Sequence, residues 1–185
     1  MKKINTPLTK KLRENLKRGE EVLLTGTIYT ARDAAHKRLA ELARKKKKLP
    51  FAIKDAVIYY AGPTPERGDG LFGSCGPTTS SRMDKFTPML LKKGLGGMIG
   101  KGRRSKSIKD QIRREKSVYF LAVGGAGAYL AKRIVSSEIT AFKELGPEAI
   151  YKIEVRDLPL IVGIDAMGKD IYDTVNKRRK YQYRL

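Results

Sequence analysis

Tryptophan is absent from this sequence, and cysteine and histidine occur once each, as Cys75 and His36. A single cysteine excludes an internal disulfide, and one cysteine beside one histidine leaves no zinc constellation. It also excludes an iron–sulfur cluster held by this chain alone, because such clusters are ligated by several thiolates. Acidic residues are scarce, with 19 Asp plus Glu against 40 Lys plus Arg. No apolar run approaches the about 20 residues of a membrane span. The opening stretch MKKINTPLTKKLRENLKRGE is charged and lacks the apolar centre of a signal peptide, so cytoplasmic residence is the expectation. There is no internal repeat and no Gly/Ser-rich linker.

What is present fits one compact domain. The chain has 185 residues, of which 41% are hydrophobic, enough for a real core and too many for a disordered chain. The net charge of +21 favours anionic partners. Nucleic acid, an anionic small substrate and a generally charged surface of the heat-adapted kind are all compatible with it.

Strand-like and helix-like segments alternate, which predicts an α/β layered domain with a mixed, partly parallel sheet. Residues 1–19 read as an N-terminal arm, residues 20–175 as the domain, and residues 176–185 as a basic tail. Strands are predicted at 21–27, 56–60, 97–100, 118–123, 149–158 and 160–164. Helices are predicted from Thr30, capped by Thr30 and Asp33 at capping-box spacing, and over 83–91, 105–116 and 128–135. The segment from Ala61 to Thr79 is dense in Gly and Pro, and long irregular loops in compact domains often carry function.

Two glycine-rich stretches suggest phosphate binding, and both fail on inspection. In the run ending Gly100–Lys101, Leu95 stands where the first Gly of a P-loop belongs, and Gly102 stands where Ser or Thr is required. After Gly125–Ala126–Gly127, Leu130 replaces the third glycine of a dinucleotide fingerprint. Tight strand-to-helix turns account for both. Gly76–Pro77–Thr78–Thr79–Ser80–Ser81–Arg82–Met83 places four hydroxyls and an arginine at a predicted helix start. Free N–H groups and a guanidinium there suit a carboxylate, although Ser and Thr are also ordinary caps. Arg32 and Lys101 each follow a predicted strand. Singly they read as surface cations, and together they form the set that a dicarboxylate pocket needs. His36 reads as a histidine satisfied by local hydrogen bonds, and Cys75 as a small residue beside a glycine turn.

Several blocks, in one order, resemble a known family. They are Gly26–Thr27, Ala31–Arg32–Asp33–Ala34–Ala35–His36–Lys37–Arg38, Tyr60–Ala61–Gly62–Pro63, Gly76–Pro77–Thr78–Thr79 with Arg82–Met83–Asp84, and Gly100–Lys101–Gly102. Gly124 to Ala128 and Ala149 to Pro159 agree as well. From about residue 20 to 175 the chain resembles the C-terminal, or beta, part of the class I fumarase and tartrate dehydratase family. The resemblance implies a swivelling β/β/α domain. It implies a [4Fe–4S] cluster carried on three cysteines of a separate alpha subunit, with the active site between the two subunits and an α2β2 assembly by analogy. It implies substrate carboxylates on Arg32 and Arg82, a substrate-binding Lys101, contacts from Thr78 and Thr79, and Thr78 as catalytic base. Ser80–Ser81 stands where single-chain fumarases carry Ala–Gly and where two-subunit members more often carry Ser.

The function so implied is that of the beta subunit of a two-chain, iron–sulfur hydro-lyase that reversibly hydrates fumarate to (S)-malate. The neighbouring alternative is an L(+)-tartrate dehydratase beta subunit, giving oxaloacetate. From other classes, a basic nucleic-acid-binding protein and a purely structural cap on an enzyme remain as rivals.

Overall fold

The computed structural model describes residues 1–64, 72–123 and 125–173. The basic tail at 176–185, and part of the Gly/Pro-rich loop, lie outside the described residues. Within them, seven strands form one mixed sheet: β1 (Lys2–Asn5), β2 (Glu21–Thr30), β3 (Val57–Tyr59), β4 (Gly97–Gly100), β5 (Val118–Leu121), β6 (Ile134–Ala141) and β7 (Ile150–Ile164). The helices are α1 (Lys10–Glu14), α2 (Asp33–Arg44), α3 (Thr87–Lys92), α4 (Lys106–Glu115) and α5 (Gly127–Ala131). Among the described residues, no helix is long and apolar enough to cross a membrane.

Strands β1 to β5 run parallel to one another in sequence order. β7 runs antiparallel to both β2 and β5, so the pairings β2–β3–β4–β5–β7–β2 close on themselves. β6 lies outside this ring, antiparallel to the first half of β7.

Alternate residues of β3 to β5 feed two different cores. Val57, Tyr59, Ile99, Val118 and Phe120 join one cluster with Ile4, Val22, Ile153 and Leu160, between the strand layers. Ile58, Tyr60, Met98 and Tyr119 join the other, with Ala35 and Leu39 of α2, Leu90 and Leu91 of α3, and Ile108 and Ile112 of α4. Strands buried on both faces read as continuous apolar runs, which is why VIYY and VYFL are legible as strands. The result is the layered α/β domain that the alternating segments predict, with the β/β/α arrangement that the family resemblance implies.

Five boundaries need correction. Residues 1–19 are no free arm: β1 pairs with β2, and Ile4, Leu8 and Leu16 are buried. Thr30 does not cap α2. It ends β2, and its Oγ1 accepts from the Tyr151 amide at 3.1 Å, while Arg32 occupies the N-cap without a side-chain cap bond. The predicted helix at 83–91 divides into a 3-10 turn (Ser80–Met83) and α3, because Pro88 suits the start of a helix. The helix at 128–135 stops at Ala131, and β6 follows. The two strands expected at 149–158 and 160–164 are one strand. Pro159 is tolerated because β6 stops pairing at Val155 and β5 begins at Ile161, which leaves one edge of β7 unpaired there.

Candidate active site

In α/β folds, ligands bind beyond the carboxyl ends of the parallel strands. Every cation singled out in the sequence lies just past such an end. Arg32 follows β2, the threonine turn hangs from the end of β3, and Lys101 follows β4 directly.

The threonine turn is held by backbone. The Thr78 amide donates to the Tyr60 carbonyl at 2.7 Å, and Ala61 bridges Pro77. Thr79 bridges Lys101 in parallel, with Lys101 N–H to Thr78 O at 3.3 Å and Ser80 N–H to Lys101 O at 3.1 Å. Thr78, Thr79 and Lys101 are therefore neighbours, although 22 positions separate Thr79 from Lys101. Thr79, Arg82 and Lys101 are exposed and Thr78 is half-buried. No carboxylate among the described residues pairs with the Lys101 ammonium.

Arg82 donates from Nη2 to Thr78 Oγ1 at 2.6 Å, and the same nitrogen lies 3.0 Å from Asp33 Oδ2. Asp33 follows Arg32, so these contacts bring the start of α2 to the threonine turn. Arg32 is itself half-buried. Its Nη2 lies 3.7 Å from Glu148 Oε1, and its Nε is buried without a hydrogen-bond partner among the described residues. The Ala34 amide donates to Glu148 Oε2 at 2.8 Å, so Glu148 does at the N-terminus of α2 what the expected Thr30 cap does not. A Cβ on Gly62 would sit 2.8 Å from Cδ and Nη1 of Arg32, so a side chain there would push the guanidinium out of its place. The glycine lets the guanidinium lie along the backbone.

Beneath the site is a buried pair that the sequence does not reveal. Arg104 donates from Nε to Asp84 Oδ1 at 2.6 Å and from Nη2 to Thr87 Oγ1 at 2.9 Å. Its guanidinium lies 5.4 Å from the Tyr60 ring centre and 5.1 Å from that of Tyr119. Burial opposes its charge, but Tyr60 and Asp84 more than offset this, and its pKa is raised. In sequence Arg104 stands inside the basic run KGRRSK, where nothing marks it as buried.

His36 is fully buried, and its Nδ1–H donates to the Arg32 carbonyl at 2.8 Å, as the local-bond reading expects. Its Nε2 has no partner among the described residues. Burial lowers its pKa to about 4, so the ring is neutral. Cys75 is buried beside the Gly127 turn, and burial pushes its thiol up to about 12. Of the two glycine runs only the later one serves as a tight turn: the Cys75 amide donates to the Gly127 carbonyl, and a Cβ on Gly127 would overlap Ser74, whereas Gly97 and Gly100 lie within β4.

These donors do not fit an iron–sulfur cluster. A cluster needs several thiolates, and here a single buried thiol is held protonated. Among the described residues, no three His, Cys, Asp or Glu side chains gather as a metal site. The exposed groups are cations and hydroxyls, which bind carboxylate oxygens.

Residues 2–175 match the model of the fumarase C-terminus. The chain belongs to the fumarase C-terminus family. It is 43% identical over 159 residues to an anaerobic class I fumarate hydratase of Escherichia coli, covering 84% of this chain and 29% of that enzyme. It is 40% identical over 158 residues to fumarate hydratase 2 of Leishmania major, covering 83% of this chain and 28% of that protein. A third relative, from Methanocaldococcus jannaschii, is provisionally named an L(+)-tartrate dehydratase subunit beta. It is 39% identical over 177 residues, covering 92% of this chain and 91% of that one. This family member thus spans under a third of those fumarate hydratases and nearly the whole of the beta subunit.

Proposed function

We propose that this chain is the beta subunit of a two-chain hydro-lyase of the class I fumarase type, which reversibly hydrates fumarate to (S)-malate. The observation that carries the reading is that Arg32, the Thr78–Arg82 turn and Lys101 all lie past the carboxyl ends of neighbouring parallel strands, with Arg82 donating to the Thr78 hydroxyl and the Lys101 backbone bridging Thr79. Two carboxylates need two cationic clamps, and a proton moved at the carbon between them needs a nearby base. The near full-length match to a beta subunit supports a separate alpha partner. In this reading the partner holds the [4Fe–4S] cluster, which supplies a Lewis-acid iron for the substrate hydroxyl. An α2β2 assembly is part of the same proposal.

This chain's own residues bind, orient and move a proton. Arg32 and Arg82 each take one carboxylate, bidentate where the guanidinium fork allows. Lys101 adds a third positive charge, and Thr79 adds contacts from the same turn. Thr78 acts as general base. An ordinary threonine hydroxyl hardly ionises, so it needs stabilisation of the alkoxide. The donated hydrogen bond from Arg82 at 2.6 Å supplies this, with Lys101 close by.

The second reading is L(+)-tartrate dehydratase, favoured by the relative that this chain matches over 91% of its length. The two substrates differ by a hydroxyl. Ser81 is exposed beside Arg82, whereas Ser80 is buried, so of the two serines only Ser81 is placed to meet substrate. The nucleic-acid reading of the positive charge gains nothing from the family match. Side-by-side assay of fumarate, malate and tartrate with the anaerobically reconstituted pair tests the choice. Preference for fumarate and malate supports the first reading, and preference for tartrate supports the second.

A further inference from the structure

Tyr119 lies in the middle of β5, and its side chain enters the helix-side core beneath the two segments that carry the site. Its hydroxyl lies 2.9 Å from Ser80 Oγ and 3.0 Å from the Gly102 carbonyl oxygen. A phenol has one proton and a carbonyl only accepts. Both contacts are satisfied when Tyr119 donates to Gly102 and Ser80 donates to Tyr119. Ser80 follows Thr79, and Gly102 follows Lys101. One buried oxygen therefore joins the threonine turn to the lysine loop. Burial pushes the Tyr119 phenol up, so it remains a neutral hydrogen-bond junction and not a base.

The same segments are stitched above and below this oxygen. Above it runs the bridge between Thr79 and Lys101. Below it, Asp84 accepts from Arg104 at 2.6 Å and from the Ser105 amide at 2.9 Å. The space is tight, because a Cβ on Gly100 would overlap the Ser80 hydroxyl. In this packing the Ser80 hydroxyl faces inward, away from any substrate.

The geometry points to Tyr119 as a positioning residue of the dicarboxylate site: through Ser80 and Gly102 it fixes Lys101 against Thr78. Its kinetic consequence rests on the dicarboxylate reading above, and its structural consequence does not.

Tyr119→Phe removes both hydrogen bonds of the junction and Ser80→Ala removes one, each while keeping the core filled. Amide hydrogen exchange on the full chain reads the junction directly. The Ser80 and Lys101 amides are expected to exchange about tenfold faster or more in Tyr119→Phe, which loses both hydrogen bonds of the junction, while β2 and β7 are unchanged. In the reconstituted pair, kcat/KM is expected to fall about tenfold, mostly through KM. The double variant is expected to be no worse than Tyr119→Phe alone, because the serine bond is already lost with the phenol. Unchanged exchange at those two amides, an even rise over the whole chain, or additive kinetic losses would each overturn the proposal. A wild-type pair that turns over no dicarboxylate would overturn the functional reading instead, and the exchange result would still decide the junction.

Discussion

Arg82 donates to the Thr78 hydroxyl at 2.6 Å from the same nitrogen that lies 3.0 Å from Asp33. In the proposed reading this bond favours an oxygen anion on Thr78, and Arg82 also takes a substrate carboxylate. Thr78→Ala is therefore expected to abolish turnover in the reconstituted pair while substrate binding, measured by calorimetry, survives. Thr78→Ser should keep measurable turnover. Near-normal turnover in Thr78→Ala would remove the hydroxyl from the mechanism.

Asp33 and Arg82 are both half-exposed, and exposed pairs of this kind contribute about 0–1 kcal/mol to stability. Asp33→Asn should accordingly leave the melting temperature nearly unchanged. If the carboxylate aims the guanidinium, kcat/KM should still fall by about tenfold, the worth of about 1.4 kcal/mol. A variant that loses stability but keeps its kinetics would make the pair merely structural.

The Arg104–Asp84 pair is the opposite case, because the Arg104 side chain is fully buried. Removing one partner strands a charge, at a cost of about 3–5 kcal/mol. Arg104→Met should lower the melting temperature far more than Asp33→Asn, as followed by thermal unfolding. Equal shifts would contradict the buried-pair reading.

His36 makes stability depend on pH. Its pKa is about 4 in the fold, against an ordinary value of 6.5, with burial the main cause. The unfolded chain therefore binds a proton at a pH where the folded chain does not. Stability is full above 6.5, falls as pH drops toward 4, and loses nothing further from this group below that. The drop is on the order of 3 kcal/mol. Urea unfolding of wild type and His36→Phe across this window checks it. The variant should lack this part of the slope, and parallel curves would contradict the assignment.

Cys75 offers a simple control. A buried thiol pushed up to about 12 is not a nucleophile at neutral pH. It should resist iodoacetamide in the folded chain and react once the chain is unfolded, as read by mass spectrometry. Rapid labelling of the native protein would contradict its burial.

Much of this fold is legible in sequence, for identifiable reasons. β3, β4 and β5 are short apolar runs because both faces are buried, and period and composition agree there. β6 (IVSSEITA) escapes notice because it is a half-exposed outer strand with Val135 and Ile139 facing out. β1 escapes because KKIN offers one buried side chain, Ile4, among lysines. Arg32, Thr78, Thr79, Arg82 and Lys101 are named through the family resemblance and the strand ends. Their partners are not legible, because Asp33 with Arg82 and Glu148 with Arg32 are joined only by the fold. Arg104 is hidden for the same reason: nothing local distinguishes a buried arginine from a solvated one.

The most direct test is turnover of fumarate and malate by the anaerobically reconstituted pair, with this chain as wild type and as Arg32→Met, Arg82→Met and Lys101→Met, and with the chain alone as control. The account predicts activity only in the pair, and a fall in kcat/KM of about a hundredfold or more for each variant, as expected when a charged hydrogen bond to substrate is lost. Wild-type activity in all three variants would contradict it, and would leave this chain a structural cap on an enzyme that lies elsewhere.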